Sequence, residues 1–266
     1  MIWRKRAEFN DYIQFGCGLC APSSWRNFDA GPAFWLQRHV RFLKPLLVRK
    51  GFPDYPQNIE YGDVIKGLPL ASGSARAVYC SHVLEHMTLE EFRTAIGNVY
   101  RYLKVGGTFR LVVPDLEYMA KCYLSDTSEG AASRFMEKTY LGEKYRRRGL
   151  TAMPRALFGR SKHFWMWDYK GIGVELAAAG FVGIRRAQFG DFEDPCFKEV
   201  EDPVRWQDCF GVECTAAAVS ASCVVPYTQQ LTVRKLDSNA PNSCSLCAQL
   251  EDQIGHRYAR LTCPHL

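Results

Sequence analysis

The stretch Tyr12-Ile13-Gln14-Phe15-Gly16-Cys17-Gly18 constrains this chain more than any other. Four residues of strand character run into a Gly-x-Gly turn. Glycine there lets the backbone turn sharply and lets a ligand approach without meeting a Cβ. Only Gln14 interrupts the apolar run, as expected for a strand buried on both faces of an α/β sheet. A short polar loop follows, then Trp25-Arg26-Asn27-Phe28-Asp29, which reads as a second strand ending in an acidic residue.

The spacing sorts the ligands such a loop could take. Ten residues separate Gly18 from Asp29. A dinucleotide site needs a full helix after the glycines, with its acidic residue about 20 positions on. Leu19 to Ser24 has room for a turn or two. A cofactor without a pyrophosphate tolerates that loss. S-adenosylmethionine is one, and Asp29 is then the acceptor for its ribose hydroxyls.

The rest of the chain supplies the remaining strands. Pro32 to Lys50 reads as a helix divided or kinked by Pro45, with Phe34, Trp35, Phe42 and Leu46 on an apolar side and Gln37 on a polar one. Ile59-Glu60-Tyr61 is a short strand. Asp63, just past its end, is placed to accept from an adenine amino group. Ala77 to Cys80 is a strand that delivers Ser81-His82-Val83-Leu84-Glu85-His86 to the same sheet edge. Thr88 and Glu91 form a capping box for a helix carrying Phe92, Ile96, Val99 and Leu103 at helical spacing. Gly106-Gly107 is expected to cap its C-terminus. Thr108 to Val113 is a strand stopped by Pro114-Asp115. Helical stretches follow at 115–124 and 129–148, then an irregular aromatic segment to 168 that contains His163. Residues 169–179 read as a helix capped by Gly180. Phe181 to Phe189 and Asp208 to Thr215 are the last strands, joined by a polar connection.

Composition narrows the class. The 266 residues are 47% hydrophobic with net charge +6, and no run approaches the ~18 apolar residues of a membrane span. The basic start, Met1 to Arg6, lacks an apolar core after it, so no secretion signal is expected. Lys144-Tyr145-Arg146-Arg147-Arg148 is the one basic run, and it reads as a solvated helix end rather than a nucleic-acid footprint. Eleven cysteines, several beside apolar residues, point to a reducing, cytoplasmic setting without a disulfide framework. The texture changes after Thr215. Residues 1–215 are read as one domain and 216–266 as a poorly packed extension. Cys244-x-x-Cys247, His256, Cys263 and His265 have ligand chemistry, but one pair without framing turns is insufficient, and no metal is assigned.

Taken in order, several blocks resemble the class I S-adenosylmethionine-dependent methyltransferases, in particular the small methyltransferase type 11-like bacterial branch. They are Phe15-Gly16-Cys17-Gly18, Trp25-x-Asn27-x-Asp29, Gly62-Asp63, Leu68-Pro69, Ser81-His82-Val83-Leu84-Glu85-His86, Leu103-Lys104-x-Gly106-Gly107 and Ala179-Gly180-Phe181. The likeness runs from Tyr12 to about residue 214. It implies a Rossmann-like, doubly wound seven-stranded sheet, mostly parallel, with an antiparallel C-terminal edge hairpin. It also implies Gly16, Cys17 and Gly18 against the methionine end of the cofactor, Asp29 at the ribose, Asp63 and Val64 at the adenine, and Ser81 and His82 beneath the sulfonium. Gln14 departs from the family, which usually has an acidic residue there. Arg76 or Ala75 departs likewise before the fourth strand.

Methyl transfer needs orientation and, for a hydroxyl acceptor, a general base. The candidates are His163, His82 and Glu85, with His163 favoured over His82. Bracing the loop is the structural role that competes for Glu85 and His86. The expected activity is methylation of oxygen or nitrogen on a small-molecule or sugar-containing acceptor, with no membrane partner and nucleic acid disfavoured. A catalytically silent binding or scaffold protein, a nicotinamide-dependent oxidoreductase and, third, a nucleic-acid methylase are the alternatives.

Overall fold

The structure is a computed structural model that describes residues 11–142 and 162–218. All of these belong to Met1–Ala218, the first of the two units into which the chain divides. The readings of Met1 to Arg6, of Lys144 to Arg148 and of the tail ligands from Cys244 to His265 lie outside the described residues.

Seven strands form one sheet: β1 (Tyr12–Phe15), β2 (Arg26–Asp29), β3 (Ile59–Tyr61), β4 (Ala75–Ser81), β5 (Leu103–Pro114), β6 (Phe181–Ala187) and β7 (Cys209–Ala216). Their order is β3-β2-β1-β4-β5-β7-β6. Pairings from β3 through β5 are parallel, while β7 runs antiparallel to both β5 and β6. The carboxyl ends of β1, β2, β3, β4 and β5 therefore share one edge, and the order reverses between β1 and β4. Ligands of open α/β sheets bind at such a switch point.

Six helices accompany the sheet among the described residues: α1 (Pro32–His39), α2 (Lys44–Arg49), α3 (Leu89–Tyr102), α4 (Leu116–Ser125), α5 (Ala131–Lys138) and α6 (Tyr169–Ala178). β4 shows why its centre, Ala77 to Cys80, is apolar on both faces. Val78 and Cys80 face a cluster that includes Phe92, Ile96 and Val99 of α3 and Ile172 and Leu176 of α6. Ala77 and Tyr79 face a second cluster with Trp25, Phe197 and Val200. Burying one such side chain contributes about 1.5–3 kcal/mol. Thr88 opens α3 with the expected capping box: its hydroxyl accepts from the Glu91 amide at 3.3 Å, and the Glu91 carboxylate accepts from the Thr88 amide at 2.9 Å.

Three expectations are corrected. Gly106 does not cap α3, which ends at Tyr102 and passes through an extended Leu103 into β5. Gly106 does adopt a left-handed conformation (φ 75°), but inside β5. There the register jumps from Ala75↔Leu103 to Ala77↔Thr108, so two steps of β4 match five of β5. The segment from 32 to 50 is two helices joined by a 3-10 turn at Arg41–Leu43, and Pro45 sits in the first turn of α2 instead of kinking a longer helix. Its polarity is also inverted in part: Gln37 is buried and donates to the Pro53 carbonyl at 2.7 Å, whereas Trp35, Phe42 and Leu46 are exposed. Finally, the polar connection between β6 and β7 contains two 3-10 turns, Pro195–Glu199 and Pro203–Trp206. Each opens on an Asp-Pro step whose aspartate accepts from a backbone amide, Asp194 from Cys196 and Asp202 from Val204. Phe197 and Val200 from this connection cover the second face of the sheet.

The antiparallel edge is joined by charge as well as by backbone. Arg110 on β5 lies opposite Glu213 on β7, and Glu213 lies opposite Arg185 on β6. Glu213 bonds both, at 2.8 Å to Arg110 and 2.5 Å to Arg185. Arg110 is fully buried and also bonds Glu201 at 2.6 Å, Asp191 at 2.9 Å and the Gln188 carbonyl at 2.7 Å.

Candidate active site

Phe15 ends β1, and Gly16 and Gly18 follow with φ of 65° and 56°. A Cβ on Gly16 would stand 2.1 Å from Val83 Cγ2. The glycine is therefore required by the close approach of the Ser81–His86 block. At Gly18 a Cβ would meet nothing within 4 Å, so its outer face is open. Cys17 is buried among Phe34 and Ile59, and burial raises its thiol pKa well above the usual range. Asp29, at the end of β2, is buried but for 8% of its surface. Its two carboxylate oxygens accept from the Gly18 amide at 2.9 Å and the Gly31 amide at 2.6 Å. Each oxygen keeps a second lone pair for a ligand hydroxyl. An open face over Gly18 beside a fixed carboxylate fits the ribose and methionine end of S-adenosylmethionine.

Gly62 follows β3, and its amide donates to the Asp29 carbonyl at 3.1 Å. Asp63 accepts from the Ile65 amide at 3.0 Å, so part of its capacity holds its own turn. The Val64 side chain points into the main core, which leaves only its backbone for a ligand.

Gln14, where a carboxylate is usual in the resembling family, is buried and occupied internally. Its amide nitrogen donates to the Cys20 carbonyl at 2.6 Å and to Asn27 Oδ1 at 2.5 Å. Asn27 in turn donates to the Pro22 and Trp25 carbonyls. The amide thus ties β1 to β2 and to the loop after Gly18. Gln14→Glu should therefore not tighten cofactor binding. It places a carboxylate against two acceptors and should cost about 1–3 kcal/mol in urea melts at neutral pH. A carboxyl whose folded pKa is raised incurs that cost above its unfolded pKa, so the loss should fade as pH falls toward about 4.3. A variant as stable as the wild type at neutral pH would contradict this placement.

After β4 the chain enters a strained loop. Ser81 is buried, and its carbonyl accepts from the Arg205 guanidinium. His82 adopts φ 55°, uncommon for a residue with a side chain. Its Nε2 lies 2.8 Å from the Arg205 carbonyl and 3.6 Å from Cys209 Sγ. Burial lowers the His82 pKa, but the Cys209 sulfur, the Glu85 carboxylate and the Arg205 carbonyl together outweigh it and hold the imidazole up to about 10. Glu85, in the 3-10 turn Leu84–His86, is wholly buried, and neither carboxylate oxygen has a hydrogen-bond partner. His82 Nδ1 is 3.5 Å away and His86 Nε2 is 3.9 Å away.

His163 joins this group from across the chain. The Phe164 and Trp165 amides lie 2.8 and 3.2 Å from the Glu85 carbonyl, and His86 Nδ1 lies 3.1 Å from the Lys162 carbonyl. These bonds dock residues 162–165 on the Leu84–His86 turn. The His86 and His163 rings meet edge to face at 4.9 Å. Burial, aided by the neighbouring His86, lowers the His163 pKa, so its imidazole is neutral near pH 7.

The structure thus brings His163, His82 and Glu85 into one cluster. His86, Arg205 and Cys209 belong to it as well. Sequence reasoning treated His86 as a cap or brace, read Cys209 as a small core residue and did not single out Arg205. The Asp202-Pro203 step, a turn signal just before Arg205, was the available hint.

Residues 39–111 match a family described as "Methyltransferase domain". The match spans 73 of the 266 residues and agrees with the resemblance to class I S-adenosylmethionine-dependent methyltransferases. The matched span runs from the end of α1 into β5 and includes the Ser81–His86 block. The glycine loop and Asp29 precede it and stand on their geometry. No curated protein matches the chain. Among solved structures this chain is similar to "PigF with SAH" (16% identity, 77% of this chain and 49% of that chain, TM-score 0.38). It is similar to a chain of the complex between the Haloferax volcanii Trm112 methyltransferase activator and a putative methyltransferase (14% identity, 81% and 89%, TM-score 0.43). It is also similar to a possible histamine N-methyltransferase from Thermotoga maritima (14% identity, 77% and 80%, TM-score 0.41). The chain spans about half the length of the PigF chain. No helix among the described residues is long and apolar enough to cross a membrane.

Proposed function

We propose that this domain transfers a methyl group from S-adenosylmethionine to an oxygen or nitrogen of a small-molecule or sugar-containing acceptor. What supports the reading is the contact of Val83 with Gly16, which sets the Ser81–His86 block directly against the glycine loop. Groups that could handle an acceptor's proton are thus next to groups that could hold a cofactor. The chemistry supplied by bound S-adenosylmethionine is a methyl group on a sulfonium, ready for in-line displacement.

The chain's residues divide the remaining tasks. Phe15, Gly16, Cys17 and Gly18 form the floor for the methionine end. Asp29 accepts from the ribose hydroxyls. Gly62, Asp63 and Val64 border the adenine, and Ser81 and His82 lie beneath the sulfonium. The cluster of His163, His82 and Glu85 takes up the acceptor's proton. Within it His82 is poorly suited to accept, because its surroundings hold it protonated. His163, kept neutral by burial, is the better recipient. Orienting groups and a positioned base contribute most when the cofactor is already activated.

The test is incorporation of label from methyl-labelled S-adenosylmethionine into small molecules of a cell extract, separated from protein and nucleic acid. Label in the small-molecule fraction, lost with His163→Ala, is expected. Label confined to protein or nucleic acid would overturn the acceptor class. A protein that binds S-adenosylhomocysteine and labels nothing would be the silent binding module.

A further inference from the structure

We propose that Glu85, His86 and His163 bind a divalent transition-metal cation. Each offers one ligand atom, and the three atoms lie within 4.8 Å of one another. Two imidazoles and a carboxylate are a donor set for first-row divalent ions such as Zn²⁺, Mn²⁺ or Fe²⁺.

The independent observation is the state of Glu85. Its carboxylate is fully buried, and neither oxygen accepts a hydrogen bond. The nearest imidazole nitrogens, at 3.5 and 3.9 Å, are too far for good hydrogen bonds. The His82 imidazole offsets part of the buried charge from 3.5 Å, but the carboxylate lone pairs stay unfilled, and a coordinated cation would fill them. A tetrahedral centre with ligands at about 2.1 Å holds them about 3.4 Å apart, so a modest inward shift closes the site.

The surroundings are those of a ligand set. His86 Nδ1 faces the Lys162 carbonyl at 3.1 Å, which fixes the tautomer that leaves Nε2, on the Glu85 side, with its lone pair. The backbone bonds from Phe164 and Trp165 to the Glu85 carbonyl hold His163 close without using any ligand atom. His82, 3.5 Å from Glu85 and bonded to the Arg205 carbonyl, is a positioning residue.

Three protein ligands leave coordination positions open, the arrangement of catalytic rather than structural sites. On the methyltransferase reading proposed above, which this consequence rests on, an acceptor oxygen occupies an open position. The cation then lowers that oxygen's pKa so that its proton passes to water, and in the metal-loaded protein His163 is a ligand, its role as proton recipient being that of the metal-free site.

The experiment uses the full chain, with Mn²⁺ binding followed by electron paramagnetic resonance of the free ion and Co²⁺ binding followed by its visible spectrum. Mn²⁺ discriminates against the tail thiols, because thiolates select softer ions. The wild type should bind one equivalent. Glu85→Gln and His163→Asn should each weaken binding at least about tenfold, while a parallel titration shows that S-adenosylhomocysteine still binds. A wild type that binds S-adenosylhomocysteine but takes up neither ion overturns the metal site alone. One equivalent retained unchanged in both variants overturns it too, by locating the ion elsewhere. Metal uptake with these losses, but without S-adenosylhomocysteine binding, supports the site and overturns the cofactor reading.

Discussion

Arg110→Met should lower the free energy of unfolding by about 3–5 kcal/mol, because it leaves the buried Glu201 carboxylate without its cation and removes one of the two arginines that hold Glu213. Arg110 is fully buried on β5 and bonds Glu201 and Glu213 directly. Both partners' side chains are nearly as buried, at 1% and 9% exposure. Its guanidinium also lies over the rings of Phe192, Phe197 and Trp206. The side chain thus holds β7 to β5 and holds the 3-10 turns that cover the second face. Lysine keeps the charge but not the planar fork, so Arg110→Lys should fall between wild type and Arg110→Met. Urea denaturation of the three proteins checks this. A loss below about 1 kcal/mol for Arg110→Met, the range of an exposed ion pair, would contradict the network's role.

Gly16→Ala should be almost as damaging and should act on the site as well. The added Cβ would overlap Val83 Cγ2 at 2.1 Å, and the backbone φ of 65° disfavours any side chain. Overpacking of this kind costs about 1–3 kcal/mol, and the left-handed conformation adds about 1 kcal/mol. Val83→Ala combined with Gly16→Ala removes the overlap but not the backbone strain. The double variant should therefore recover most of the first loss and none of the second. If Gly16→Ala alone melts like the wild type, the glycine loop and the Ser81–His86 block are not in contact.

The sheet was legible because its strands are buried on both faces. Ala77 to Cys80 is a continuous apolar run for that physical reason, Phe109 to Val113 is one apart from the ion-paired Arg110, and Thr88 with Glu91 marked the start of α3 by local bonding alone. The segment from 32 to 50 misled because apolar residues surround both short helices. Phe34 points in while Trp35, Phe42 and Leu46 face solvent. No pattern could place the connection from 191 to 207, since Phe197 and Val200 are buried by the sheet they cover and not by a helix period.

The site divides in the same way. Gly16, Gly18 and Asp29 form a local unit whose spacing is informative by itself, and the carboxylate does hold the Gly18 amide. The contacts of His82 with Arg205 and of Glu85 with Phe164 join residues that are distant in sequence, and only the fold produces them. His163 stood out as a histidine in an aromatic segment, but its partners could not be named. Gln14 looked like a defect in a cofactor site. Its bonds to Cys20 and Asn27 give it a structural task instead.

The central claim is that the glycine loop and Asp29 hold S-adenosylmethionine. Titration calorimetry of S-adenosylmethionine into wild type and Asp29→Ala tests it most directly. The wild type should bind one equivalent. Removing the carboxylate should weaken binding by about 1–3 kcal/mol, the cost of losing a charged acceptor, in a variant shown by its melt to be folded. Absence of binding by the folded wild type would contradict the account.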